Sequence, residues 1–203
     1  MKKILYLVVG ALILITGYRF IFSSPQVKKD LLPSGPLICF GDSLTYGTGT
    51  EKGMDYPSQL SRMVSKPVVN AGIPGNTTAQ ALKRLEQDVL SRSPGLVLIT
   101  LGGNDLKNGV AKEIAFKNLK IIVETIQEHG GRVVIGGIKF PLRDRGFGKG
   151  YKELADQTGA ILIPNILKGI MGNRKLMSDP IHPNAEGYKI MAQRFYGAIL
   201  QID

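Results

Sequence analysis

Apolar and polar positions along the chain fall into two recurring patterns, and these predict the elements. Short apolar runs, too brief for helices, read as strands: Leu37–Phe40, Val68–Val69 with Asn70, Leu96–Leu101, Val133–Ile135 and Ile161–Ile163, and the first, third and fourth run straight into a glycine. Between them, apolar residues recur at helical spacing. Tyr56, Leu60, Met63 and Val64 form one such face, with Asp55 as cap, Pro57 in the first turn and an end before Pro67. A second helix is expected from Thr77 or Thr78 through Leu90, with Ala81, Leu82, Leu85, Val89 and Leu90 on its inner face and Pro94-Gly95 behind it. Others are expected over Val110 to His129, Tyr151 to Thr158, and from Asn184 almost to the terminus, the last burying Tyr188, Met191, Phe195, Ala198 and Ile199. Strands alternating with helices, without a hairpin signal or a repeat, predict an α/β domain. Its parallel sheet of roughly five strands would have helices on both faces, a three-layer α/β/α arrangement, because parallel neighbours need crossover connections.

The N-terminus follows a different pattern. Met1-Lys2-Lys3 precedes an apolar run from Ile4 to Phe22, interrupted only at Arg19. The run to Tyr18 suits a signal h-region; extended to Phe22 it is long enough for a membrane span of ~20 residues. The cleavage signal is poor, since Ile21 or Pro25 stands where processing after Ser23 or Ser24 disfavours it. Residues 1–22 are therefore expected to remain as an anchor, with a removed signal segment as the alternative. Residues 23–35 would be a linker and 36–203 the folded domain. The two lysines are expected on the cytoplasmic side, which puts the domain outside the cell membrane, or secreted or periplasmic if the segment is cleaved.

Composition narrows the partners. The chain has 26 Lys and Arg against 16 Asp and Glu, a formal charge of +10, and is 43% hydrophobic. Part of the basic excess precedes Leu31. No basic run carries interleaved aromatics, so nucleic acid is not an expected partner. Cys39 is the single cysteine, inside an apolar strand, and reads as a small core residue. With two histidines, no metal and no cofactor are implied. The oligomeric state has no signal.

Chemistry concentrates where strands end. Gly41-Asp42-Ser43-Leu44 follows the first strand, Ala71 to Thr77 the second and Gly102-Gly103-Asn104-Asp105 the third. Ser178-Asp179-Pro180-Ile181-His182-Pro183-Asn184 lies before the last helix. In open parallel sheets, ligands bind at the carboxyl ends of strands. On its own, Asp42-Ser43 is equally an ordinary helix cap. A serine becomes a useful nucleophile when an imidazole takes its proton, and the imidazole works best when a carboxylate fixes its other nitrogen. His182 is the candidate imidazole, whereas His129 sits at a helix C-terminus, where the helix dipole favours a cation. Asp42 is adjacent to Ser43, and a sequence neighbour ordinarily points elsewhere. Asn104 also has a simple reading as a turn former.

These four blocks, in this order, resemble the GDSL or SGNH-hydrolase family of serine esterases and lipases, in particular its small bacterial thioesterase, lysophospholipase and arylesterase branch. The resemblance covers roughly Leu37 to Phe195 and implies the three-layer, flavodoxin-like SGNH fold. It implies Ser43 as nucleophile, His182 as base and Asp179 as orienting acid. It also implies an oxyanion hole made by the N–H groups of Ser43 and Gly75 and the Asn104 amide, with Asp42 and Asp105 as supports. The expected substrates are acyl esters, either lysophospholipids or short-chain and aryl esters. O-acetyl groups on wall polysaccharide are the alternative, and the same residues also suit acyl transfer to an acceptor other than water. A flavodoxin-like binding module without catalysis is the reading from another class. Asn76-Thr77-Thr78 matches a glycosylation acceptor, but its place in the oxyanion loop argues against modification. There is no long lid insertion. The Gly-rich loop Lys139–Gly150 is the segment long enough to shape specificity, and its Arg143 and Arg145 are either solvated charges or contacts for a phosphate or carboxylate.

Overall fold

The computed structural model describes residues 33–140 and 144–202. The expected anchor over 1–22, most of the linker and Arg143 lie outside the described residues. Among those described, no helix is long and apolar enough to cross a membrane.

Five parallel strands form one sheet in the order β2-β1-β3-β4-β5: β1 (Leu37–Gly41), β2 (Val68–Gly72), β3 (Leu96–Thr100), β4 (Arg132–Gly136) and β5 (Ile161–Ile163). All five residues of β1 and of β3 are buried, as central strands covered on both faces must be. On one face, α2 (Tyr56–Val64) packs against α8 (Ala185–Ile199), with Tyr56 and Phe195 stacked at 5.0 Å. On the other lie α3 (Thr78–Lys83), α6 (Lys112–Glu128) and α7 (Phe147–Thr158). Two short helices, α1 (Ser43–Tyr46) and α5 (Gly103–Lys107), start at strand ends.

The register positions the site. Gly41 of β1 pairs with Gly72 of β2 and with Thr100 of β3, so three strands end level. This strand order reverses direction between β1 and β3, which makes their carboxyl ends the switch point at which such sheets bind ligands. Gly41 is required there by close approach. A Cβ on it would lie 2.1 Å from the Thr45 hydroxyl and 2.6 Å from the Thr100 carbonyl.

Three expectations need correction. The second helix is broken: α3 ends at Lys83, α4 (Leu85–Asp88) follows, and a 3-10 turn covers Leu90–Arg92. The break is at Arg84, which leaves helical geometry (φ −106°, ψ 5°) and turns its guanidinium to carbonyls at the carboxyl ends of β1 and β2. The helix expected at Tyr151 begins at Phe147. Left-handed Gly146 precedes it, the Asp144 carboxylate accepts the Gly148 N–H (3.1 Å), and Gly150 lets the Phe116 ring lie against the backbone. The specificity loop is shorter by those residues. Asn104 and Asp105 stand in the first turn of α5, where a free loop was expected.

Candidate active site

Asp42 leaves β1 and caps α1, its Oδ1 accepting the Leu44 N–H at 3.0 Å. The cap reading of Asp42-Ser43 is thus present and leaves the Ser43 side chain free of the cap. The cap fixes the helix start, and Ser43, as its first residue, has a backbone N–H with no intrahelical acceptor.

His182 comes from the segment before α8. Its Nε2 lies 3.0 Å from Ser43 Oγ, and its Nδ1 lies 2.6 Å from Asp179 Oδ2. Asp179 Oδ1 accepts the N–H groups of Ile181 and His182, each at 2.8 Å, so the carboxylate builds the turn that carries the imidazole. Burial pushes the Asp179 carboxyl up, but the hydrogen bonds from the His182 ring and the two N–H groups outweigh it and hold it below its ordinary value. Asp179 is therefore a carboxylate at neutral pH, as an orienter of imidazole must be.

Asn104 faces the same space from α5. Its Nδ2 donates to Asp42 Oδ2 (3.1 Å) and to the Asn76 carbonyl (3.0 Å). Asp42 is buried, and desolvation, reinforced by the Asp105 charge, pushes its carboxyl up to about 7, against the Leu44 N–H bond and the Arg84 charge. Asp105, also buried, accepts the Thr78 N–H (2.9 Å) and hydroxyl (2.7 Å), tying α5 to the start of α3. Both acids brace the loops. Gly75 has left-handed backbone (φ +81°), and a Cβ on it would meet open space, so the glycine serves conformation there. Asn76 is nearly buried and its side chain is held by Arg84 (2.7 Å), which suits the expectation that the acceptor pattern there is not modified.

Other residues that hold the site together were missed from the sequence. A Cβ on Gly49 would lie 2.1 Å from Ser178 Oγ and 3.2 Å from His182 Cβ, so the loop after α1 packs directly on the histidine turn. Tyr188 OH donates to the Thr48 carbonyl (2.8 Å), and Gln59 Nε2 to those of Met54 (2.6 Å) and Ala185 (2.9 Å). The repeated Gly-Thr after Tyr46 was the available signal for Gly49.

An open cleft of about 450 Å³ adjoins Ser43 and His182, with walls of Leu44, Leu106, Ile138, Phe140, Leu167 and Met171. Lys107 and Arg145 also line it. Among the described residues, no group of three or more His, Cys, Asp and Glu is placed to hold a metal. Cys39 is buried with its thiol pushed up by desolvation, away from this chemistry.

A serine, an imidazole and a carboxylate in hydrogen-bonded sequence beside an amide donor is an arrangement that transfers acyl groups. Residues 39–190 match the GDSL-like Lipase/Acylhydrolase family. The chain belongs to that family. It is similar to the esterase TesA of Pseudomonas aeruginosa, 31% identical over an alignment of 158 residues, with 72% of this chain and 79% of that one covered. It is also similar to thioesterase 1/protease 1/lysophospholipase L1 of Escherichia coli, 29% identical over 77% of this chain and 79% of that one. A crystal structure of TesA superposes with a TM-score of 0.77 at 28% identity, covering 81% of this chain and 97% of the other. The GDSL-type protein described here is a carboxylic ester hydrolase with the five-stranded SGNH fold, and the reading as a non-catalytic module falls.

Proposed function

We propose that Ser43 attacks the acyl carbonyl, His182 Nε2 takes the hydroxyl proton and returns it to the leaving alcohol, and Asp179 holds the ring and its positive charge. Water then repeats the sequence on the acyl-enzyme, with His182 again as base. The 3.0 Å contact between Ser43 Oγ and His182 Nε2 carries this reading. The oxyanion hole is assigned to the N–H groups of Ser43 and Gly75 and the Asn104 amide. In the resting site the Asn76 carbonyl holds one Asn104 N–H. A developing oxyanion, more strongly charged, shares that hydrogen with the Asn76 carbonyl that aims it, so the bond is strongest where the barrier is.

For substrate we propose esters with an apolar acyl chain, lysophospholipids or short-chain and aryl esters. The apolar walls of the cleft would take the chain. Lys107 and Arg145 at the same cleft favour a lysophospholipid, whose phosphate they would meet. The expected membrane tether through residues 1–22, with the domain outside the cytoplasmic membrane, is part of the proposal. Pro33–Pro36 lead into the amino-terminal end of β1, and Ser43 follows its carboxyl end.

A fluorophosphonate probe tests the chemistry. Labelling of the native protein, lost in Ser43→Ala, is expected; equal labelling of Ser43→Ala overturns it. Nitrophenyl esters of graded length, a lysophospholipid and an acetylated glycan test the substrate. A kcat/KM highest for acetylated glycan would replace the proposed class with O-acetyl esters.

A further inference from the structure

We propose that Arg84 is a positioning residue that sets the oxyanion hole through Asn76. The proposal rests on the assignment of Asn104 to that hole. The helix breaks at Arg84, and the side chain this releases is only 12% exposed. Its guanidinium reaches three parts of the site at once. Nη2 donates to the Gly41 carbonyl (2.8 Å), the last of β1 before Asp42-Ser43. Nη1 donates to the Ala71 carbonyl near the end of β2 (3.0 Å) and to Asp88 Oδ2 (2.7 Å). Nε donates to Asn76 Oδ1 (2.7 Å), and the plane lies 4.4 Å from the centroid of the Phe40 ring.

Asn76 is therefore held at both ends. Its side chain is fixed by Arg84, and its backbone carbonyl accepts the Asn104 amide at 3.0 Å. The chain of contacts runs from Arg84 to Asn76 to Asn104, whose other N–H is fixed on Asp42. A nearly buried cation with one carboxylate partner is a poor stabilising device, since desolvation offsets most of its attraction. A planar fork that orients several acceptors at fixed angles is what a guanidinium supplies and an ammonium does not. Those acceptors belong to the nucleophile strand and the oxyanion loop.

A double-mutant cycle separates positioning from mere support. Arg84→Lys, Asn76→Ala, Asn104→Ala and the two doubles with Asn104→Ala are assayed for kcat and KM on one soluble nitrophenyl ester, with a melting curve for each. Asn76→Ala removes the relay but leaves Arg84 its bonds to Gly41, Ala71 and Asp88, so it reads the relay even if Arg84→Lys folds poorly. Arg84→Lys and Asn76→Ala are each expected to lower kcat by about tenfold or more with KM little changed, as loss of aim in one donor implies. On the Asn104→Ala background the same changes should lower kcat by less than about threefold. Losses that multiply in the doubles, a loss carried by KM, or an unchanged kcat in Asn76→Ala would overturn the relay alone. An Asn104→Ala protein with native kcat would overturn the relay and the oxyanion assignment together.

Discussion

Replacing Asp42 by asparagine separates a buried charge from the hydrogen bonds around it. Its carboxyl is raised from 3.8 to about 7, mainly by burial. The folded protein thus holds the proton more tightly than the unfolded chain. The stability this contributes is complete below about pH 4 and is lost as pH rises through 7. A rise from 3.8 to about 7 corresponds to about 4 kcal/mol, of which roughly 2–3 kcal/mol falls between pH 5 and pH 8. In Asp42→Asn, the amide oxygen keeps the Leu44 N–H, but its nitrogen faces the Asn104 amide, donor against donor. That mismatch costs about 1 kcal/mol or somewhat more at every pH. Urea unfolding of both proteins from pH 5 to pH 8 is the assay. The difference in stability should move in the variant's favour by roughly 2–3 kcal/mol across that range, while kcat falls because Asn104 has lost an anchor. Groups that titrate alike in both proteins drop out of the difference. An offset that stays constant from pH 5 to pH 8 would refute the buried-charge reasoning.

Three further outcomes are expected. Asn104→Ala should lower kcat by about 10²–10³-fold with KM nearly unchanged, in steady-state ester hydrolysis. Gly49→Val should cut kcat/KM by at least tenfold while leaving the sheet signal in far-ultraviolet circular dichroism, because the added methyls strike Ser178 and the His182 turn. Thr78→Val should lower stability by roughly 1–3 kcal/mol in urea titration, since the buried Asp105 carboxyl and the Asn118 amide both lose the Thr78 hydroxyl as a partner.

The elements that local pattern reaches were legible in the sequence. Buried strands such as Leu96–Thr100 are written as continuous apolar runs, and the glycines at the ends of β1 and β4 and just past β3 mark where the chain turns. His182 and Asp179 were legible through the resemblance of the block Ser178–Asn184, and they stand three residues apart on one turn. What joined that turn to Ser43 was not. The Tyr188–Thr48 and Gln59–Ala185 bonds link residues 140 and 126 positions apart, and neither partner has a residue type that announces the contact. Gly146 to Gly150 misled in the opposite direction. Glycines read as loop, yet here they admit the Phe116 ring against the helix backbone.

The helix expected over 77–90 failed for a different reason. Its apolar spacing is correct, and Ala81, Leu85 and Val89 are all buried. No proline or glycine interrupts it. The break is imposed by tertiary contacts, since Arg84 gains acceptors on Gly41, Ala71 and Asn76 that a surface helical arginine would not meet. Where local preference yields to distant contacts, some compensating gain must hold the exception in place. Those acceptors belong to the ends of β1 and β2 and to the loop that holds Asn104. The level ending of the strands brings the segments carrying Ser43, Asn76 and Asn104 together, and the broken helix supplies the guanidinium that holds the Gly41, Ala71 and Asn76 acceptors.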